Sequence, residues 1–450
     1  MNRLTLATIA LALTAGCLGQ PDPSESGLAE QEAAAASRGA VQNVTPPVIT
    51  GSRAVGSTLT VTPGTWTGAA PLTTTYKWAR CAEGGGACVA IAGATSPSYT
   101  LTGDDPRSTL KVVEKVTDAN GVKGKRAVDA GAISFAAGTV CNASGVPLDR
   151  PATLEHVIVI VMENRDADEL HGDSDAPYFN ELVDQCGTST GYLDNTFSSD
   201  INSLSHYLAL TSGSNCNTGV GSSGSGCVTD DSSPASHMLT TDSIFEQAAS
   251  WTAYQEDMPN NRDWGNPASG TEYWVKHNPP AYYTGVTDCG TFDVGIDRVS
   301  CSSSQYDTCS TPSNAFSADL ANDTLPAYAF VTPDIENDMH DGDVTTGDNW
   351  LHTYLPLILA SPAYLRGETA VYVLWDEQGS FNGGAIPNLF LSPYIQPTTS
   401  SAVMNHFAAL RAAEAQLGIG TYLGCASGTA PGGGGCPVGS TTDLRAEFNF

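Results

Sequence analysis

Positive charge is what this sequence lacks most. Lys and Arg together number 19 against 48 Asp and Glu, a formal net charge of −29 over 450 residues. That balance argues against a nucleic-acid partner, whose backbone needs Lys and Arg to neutralise it. It also repels anionic lipid at long range, so an anionic substrate would need a local basic pocket. Charged residues of both signs make up only 15% of the chain, and the abundance of Gly, Ser and Thr predicts many loops. None of the twelve cysteines forms a Cys-x-x-Cys pair, so a cysteine-held zinc lacks its usual signature. Beyond the first residues no apolar run is long enough to cross a bilayer.

What is present starts with Met1-Asn-Arg3, a basic region, followed by the apolar Leu4–Ala15, too short to span a membrane as a mature helix. It ends in Leu13-Thr-Ala-Gly-Cys17, which resembles the lipobox of bacterial lipoproteins. The resemblance implies removal of residues 1–16, lipidation of Cys17, export, and membrane contact through that lipid at the outer membrane or cell surface. Residues 17–45, rich in Ala, Ser, Gln, Glu and Gly without apolar periodicity, read as a flexible tether. With Cys17 so used, eleven cysteines remain in an oxidising compartment, and an odd number leaves at least one thiol unpaired or intermolecular. Short spacings suggest Cys81–Cys88, Cys216–Cys227, Cys301–Cys309 and Cys425–Cys436 as local loops, with the pairing itself open.

Residues 46–136 read as all-β. Short alternating runs (Leu59-Thr-Val61, Tyr76-Lys-Trp78, Ser98-Tyr-Thr-Leu101, Leu110-Lys-Val-Val113) are separated by Gly, Pro and Asp turn signals at sandwich-like spacing. With Pro47-Val-Ile-Thr-Gly51 and Pro63-Gly-Thr-Trp66 they resemble the Ig-like modules of bacterial surface proteins. The likeness implies Trp78 as core tryptophan, Tyr99 as corner tyrosine, and Cys81 with Cys88 stapling a hairpin. No catalytic cluster is visible here, and a spacer is the favoured role over a binding module.

Residues 137–153 form a linker, and from 154 to 450 buried strands alternate with amphipathic stretches such as Ala402–Leu417, an α/β pattern. The Gly-, Ser- and Asn-rich insertions 214–236 and 288–315 read as surface loops. The run His156-Val-Ile-Val-Ile-Val-Met162 has the β-branched density of a strand buried on both faces of a parallel sheet. It stops at Glu163 and Asn164. A second such run, Ala370-Val-Tyr-Val-Leu-Trp375, stops at Asp376 and Glu377. Ligands bind at the C-terminal edge of open α/β sheets, so two distant strands there deliver paired oxygen donors, the skeleton of a metal site. The hydroxyl-rich Asn202-Ser-Leu-Ser-His206 leads into a helix-like stretch whose N-terminus could face a phosphate.

Four further segments sharpen this: Asn337-Asp-Met-His-Asp-Gly342, Trp375-Asp-Glu377, Glu256-Asp-Met-Pro259 and Tyr273-Trp-Val-Lys-His-Asn-Pro279. They resemble the bacterial phosphoesterase family of secreted acid phosphatases and phospholipases C, nearest the mycobacterial-type acid phosphatases associated with phosphatidylinositol 3-phosphate. The likeness covers roughly residues 154–420 and implies an alkaline-phosphatase-like α/β sheet sandwiched by helices. It further implies a metal-dependent phosphomonoesterase acting on a small-molecule or lipid phosphate ester. Glu163, Asn164, Asp376, Glu377 and the Ser203 hydroxyl would hold one divalent ion. The oxygen donors favour Mg²⁺, Ca²⁺ or Mn²⁺ over zinc. Ser203 would be the nucleophile and form a phosphoserine. His340 would be the general acid or a phosphate ligand, oriented by Asp341. Lys276, His277, Arg165 and His206 would bind substrate, the first two supplying positive charge. Asp348 and Trp350 would fix the loop and the helix after it.

The family has Pro beside the serine and Asn three residues on, where this chain has Asn202 and His206. That departure keeps Ser205, Ser199 and Thr211 as rival nucleophiles. A phospholipase C with the same metal core is the alternative enzyme. A surface adhesin with a degenerate catalytic domain is the alternative outside enzymes.

Overall fold

A computed structural model describes residues 40–450 apart from 83–85, 107, 195–201, 215–232, 237, 263–264, 266–270, 302–303, 305–308, 381–383 and 430–435. Cys17, Ser199 and the Cys216–Cys227 pair therefore lie outside the described residues. Among those described, no helix is long and apolar enough to cross a membrane.

The N-terminal strands are β1 (Asn43–Thr45), β2 (Val48–Thr50), β3 (Thr58–Thr62), β4 (Thr65–Trp66), β5 (Thr73–Cys81), β6 (Cys88–Ala90), β7 (Ser98–Thr100), β8 (Thr109–Thr117) and β9 (Lys123–Ala132). They form a three-stranded sheet in the order β2-β3-β7, a four-stranded sheet β6-β5-β8-β9, and the pair β1-β4, all antiparallel. Period-two alternation turns Leu59 and Val61 of β3 inward. They meet Trp78, Leu101, Leu110, Val112, Ala130 and Ile133 in a small core of their own. Trp78 is fully buried against Tyr99, and Cys81–Cys88 bridges directly opposed residues of the β5-β6 hairpin.

The rest is built on one sheet. Its strands are β10 (His156–Met162), β11 (Gly187–Ser189), β12 (Trp251–Glu256), β13 (Asp293–Ile296), β14 (Tyr328–Thr332), β15 (Thr369–Trp375), β16 (Asn388–Leu391) and β17 (Thr398–Ser400). The order is β13-β12-β14-β10-β15-β16-β11-β17. The five strands from β13 to β15 are parallel, and β16 runs against its neighbours. β10 and β15 sit side by side at the centre, with His156 opposite Thr369 and Met162 opposite Trp375. Their register ends both strands level, so Glu163-Asn164 and Asp376-Glu377 emerge together. Helices Ser203–Ser212, Val344–Leu359 and His406–Gln416 cover the sheet. The stretch expected as helix over Ala402–Leu417 begins only at His406, where the Asn405 side chain accepts from the Phe407 and Ala408 amides and caps it.

The expected Cys301–Cys309 and Cys425–Cys436 bridges are present. Spacing gave no sign of Cys141–Cys186, which ties the linker to the residue before β11 across 45 residues. Cys289 is unbridged and buried, and burial pushes its thiol up to about 12.

Candidate active site

The site forms where β10 and β15 stop. Glu163 is fully buried, and its amide donates to the Asp338 carbonyl at 2.8 Å. Asn164 follows in the left-handed region at φ 49°, a conformation Asn tolerates. This turn aims its amide at Asp376 Oδ1, 3.0 Å away, while the Asp376 amide donates to the Met162 carbonyl. The two strand ends thus lock each other, and Asp376 and Glu377 lie within metal-ligand spacing of one another.

Ser203 opens its ten-residue helix, buried beneath the same edge. Its hydroxyl lies 3.1 Å from Glu163 Oε2 and 3.4 Å from Glu377 Oε1. The rivals are turned elsewhere. Ser205 donates to the Asn202 carbonyl, and Thr211 is engaged by the Tyr207 carbonyl and the Tyr283 hydroxyl. Of the described hydroxyls proposed from sequence, only that of Ser203 reaches the carboxylates.

Two histidines enter the cluster instead of standing at its mouth. His277 Nε2 is 3.1 Å from Glu163 Oε1, its Nδ1 is 3.5 Å from Asp338 Oδ2, and its ring stacks on Tyr207. Burial first, then Lys276 and His340, hold its pKa well below the ordinary value. It is therefore neutral, and the positive charge expected from it comes from Lys276 alone. His206 Nδ1 is 3.5 Å from Glu377 Oε2, and burial pushes its pKa down to about 3. Glu163, His277 and Asp338 form one buried set of donor atoms with metal-ligand spacing, and His206, Asp376 and Glu377 form another.

The electrostatics are those of an incomplete cage. Burial, reinforced by mutual repulsion, raises the pKa values of Glu163 and Asp338 well above the ordinary carboxylate range, and burial raises that of Asp376. Glu163 Oε1, Asn164 Oδ1, Asp338 Oδ2 and Asp376 Oδ2 are buried without a hydrogen-bond partner among the described residues. The His277 contact to Glu163 is close but not aligned for a hydrogen bond. Native proteins rarely leave so many buried acceptors unmet. A divalent cation fits these residues: it would satisfy the orphaned oxygens and remove the repulsion.

At the outer rim the His340 amide donates to Asp338 Oδ1, and its Nδ1 is 2.7 Å from Asp341 Oδ1, the orientation expected from sequence. The Arg165 guanidinium binds the carbonyls of Met339 and Gly342 and clamps the loop that carries His340. That loop is tight: a Cβ on Gly342 would run into the Glu336 carbonyl oxygen. Asp348 accepts from the Tyr178 and Phe179 amides, and the Trp350 indole donates to Glu256, so both have the supporting places expected. Sequence reasoning missed His406, whose Nε2 is 2.6 Å from the Asp376 carbonyl and whose Nδ1 meets the Tyr192 hydroxyl. It also gave Asp338 no role, although Asp338 lies inside a motif it singled out.

Comparison with known proteins agrees with this picture. The Phosphoesterase family model matches residues 173–420, a span holding Ser203, His277, Asp338, Asp376 and Glu377 and starting after Glu163 and Asn164. A phosphatidylinositol-3-phosphatase of Mycobacterium tuberculosis is 26% identical over 267 residues, covering 59% of this chain and 78% of that protein. An acid phosphatase of Aspergillus fumigatus is 27% identical over 201 residues, 41% of this chain and 40% of that protein, so the chain spans about two fifths of that relative's length. Among solved structures, a protein in the alkaline phosphatase superfamily from Vibrio parahaemolyticus aligns at TM-score 0.37 and 12% identity, over 64% of this chain and 72% of that one. Matched over more than half its length, the chain belongs to the Phosphoesterase family and is a phosphoric ester hydrolase.

Proposed function

We propose that the chain is a metal-dependent phosphomonoesterase that works through a phosphoserine at Ser203. The observation that carries this reading is the Ser203 hydroxyl lying between Glu163 and Glu377. Glu163, Asn164, Asp376 and Glu377 would hold a divalent ion, which when bound supplies positive charge to the reacting oxygens and phosphoryl group. The two neutral imidazoles beside these acids shift the preference within hard ions toward Mn²⁺, since imidazole is a poor ligand for Ca²⁺.

The chain's own residues account for the rest. Ser203 gives its proton to a neighbouring carboxylate, Glu163 being nearest, and attacks phosphorus as the bond to the leaving oxygen breaks. Lys276, buried and close enough to lower the pKa values of Glu163, Asp338 and Asp376, neutralises phosphoryl charge. His340, oriented through Nδ1 by Asp341, presents Nε2 to protonate the leaving alkoxide. Water then hydrolyses the phosphoserine and restores the hydroxyl.

The Mycobacterium tuberculosis relative, a phosphatidylinositol-3-phosphatase, favours a phosphoinositide monoester among possible substrates. The disulfides support the exported, lipid-anchored location argued from Cys17; acyl labelling in the native cell should disappear in Cys17→Ser.

The test is turnover of p-nitrophenyl phosphate after chelation and readdition of Mg²⁺, Ca²⁺, Mn²⁺ or Zn²⁺. Ser203→Ala should remove at least ~10³-fold of the activity. Undiminished turnover in that variant would sink the phosphoserine reading.

A further inference from the structure

A second concentration of charge lies at the other end of the sheet, and it is positive. A cavity of 150 Å³ is lined by Arg150, Arg411 and Arg445, with Tyr422, Thr442 and Asp443 beside them. Arg445 binds the Ala152 carbonyl, four residues before β10 begins, whereas the acids of the active site follow the end of that strand. A strand of this length at ~3.3 Å per residue separates the two places by roughly 20 Å.

Two of the three guanidinium groups are fixed. Arg445 is held by the carbonyls of Pro151, Ala152 and Phe450, and Arg411 donates to the Ala426 carbonyl while lying 4.2 Å over the Tyr422 ring. Arg150 is different: it makes no hydrogen bond or ion pair among the described residues. Half-burial first, then the neighbouring Arg445, push it down from its ordinary pKa, and the nearby Asp443 opposes them. None of the three arginines forms an ion pair with an Asp or Glu side chain among the described residues. Asp443, the single acid in the lining, accepts from the Arg445 and Ala446 amides as a helix cap. The buried Glu414 accepts from the Leu423 amide, and burial pushes its pKa up to about 8 although that amide and Arg411 oppose the rise. In a chain carrying −29, three arginines lining one small cavity whose lining holds a single side-chain acid, Asp443, are an arrangement that an anion completes.

We propose that this cavity binds a doubly charged tetrahedral oxyanion, free phosphate or the phosphoryl group of a phosphomonoester headgroup, apart from the Ser203 centre. At ~30 Å³ per water the space holds about five waters, enough for one phosphate with hydration but too small for a nucleotide. The site does not depend on the catalytic proposal, since none of its residues touches the carboxylate cluster.

The test is calorimetric titration of inorganic phosphate into the chelator-treated full-length chain and its Arg150→Ala variant. Arg150 makes no hydrogen bond or ion pair among the described residues, so the variant should keep the melting temperature and the p-nitrophenyl phosphate turnover of the parent. Phosphate binding at this site should weaken at least ~10-fold, the scale of a lost charge-assisted pair. A second arm measures retention on phosphatidylcholine vesicles with and without a phosphatidylinositol monophosphate. Retention lost in Arg150→Ala and resistant to inorganic phosphate would assign a headgroup; retention displaced by inorganic phosphate, or phosphate binding without retention, would assign the free ion. Identical phosphate binding and identical vesicle behaviour in parent and variant would overturn the proposal, as would the absence of both in the parent.

Discussion

The β-module and the sheet edge both bury carboxylates, and they treat them in opposite ways. In the module, Asp105 is fully buried and receives Arg80, the Tyr99 hydroxyl and the Thr102 amide. Glu114 receives the Gly64 amide, the Trp66 indole and the Tyr76 hydroxyl; Asp118 receives three backbone amides. Among the described residues of the module no buried side-chain oxygen or nitrogen lacks a partner. At the ends of β10 and β15 several do, and burial there raises the acids' pKa values. The difference teaches how to tell structural acids from functional ones in one chain: the former are saturated by donors of the fold, the latter are left for something the fold does not contain.

That contrast can be broken by mutation. Asp376→Ala should cost the most, ~10³-fold or more in turnover, because it removes a donor to the ion and the acceptor of the Asn164 amide. Turnover close to the parent's would remove Asp376 from the site.

Metal removal should expose the repulsion among the edge acids as a pH effect. Their raised folded-state pKa values mean that the folded chain keeps protons the unfolded chain has released. The metal-free protein should therefore lose stability as pH rises from about 4 toward the raised values. Added Mn²⁺ should flatten that fall, read as melting temperature against pH. Glu414, far from the cluster and pushed up to about 8, should keep its own contribution to the slope up to that pH whether metal is present or not. Equal melting curves with and without metal at neutral pH would contradict the cage.

His406→Ala comes next, at roughly 10–100-fold in turnover or metal affinity, the usual cost of a group that holds a ligand in place. A fall in metal affinity with folding intact is the outcome that marks positioning; an unchanged affinity would leave His406 as mere packing. The smallest effect sharpens the other side of the contrast. Asp105→Ala should destabilise the module by about 2–3 kcal/mol through its orphaned donors and leave turnover unchanged. A loss of turnover there would show that the module's acids are not merely structural.

Legibility from sequence followed the range of the interactions involved. The strands ending at Met162 and Trp375, the alternation in β3, the fully buried Trp78 and the helix opening at Ser203 all follow from periodicity and local chemistry. That Arg165 also clamps the His340 loop could not be read from the sequence, because its reach to the Met339 and Gly342 carbonyls spans 174 and 177 residues. His206 and His277 were expected to bind substrate, and their burial beside Glu377 and Glu163, which lowers their pKa values, was not legible in the sequence. Cys141–Cys186 was invisible for the same reason.

The sequence by itself determined that two strands would be buried and that each would end in a pair of oxygen donors, since side-chain shape and spacing act within a few residues. Only the tertiary structure decided that those pairs meet. It set β10 beside β15 in level register, brought Ser203, His206, His277 and Asp338 against them, and left the oxygens unmet. Burial and proximity, which tune charge and hydrogen bonding, belong to the packed chain and to no segment of it.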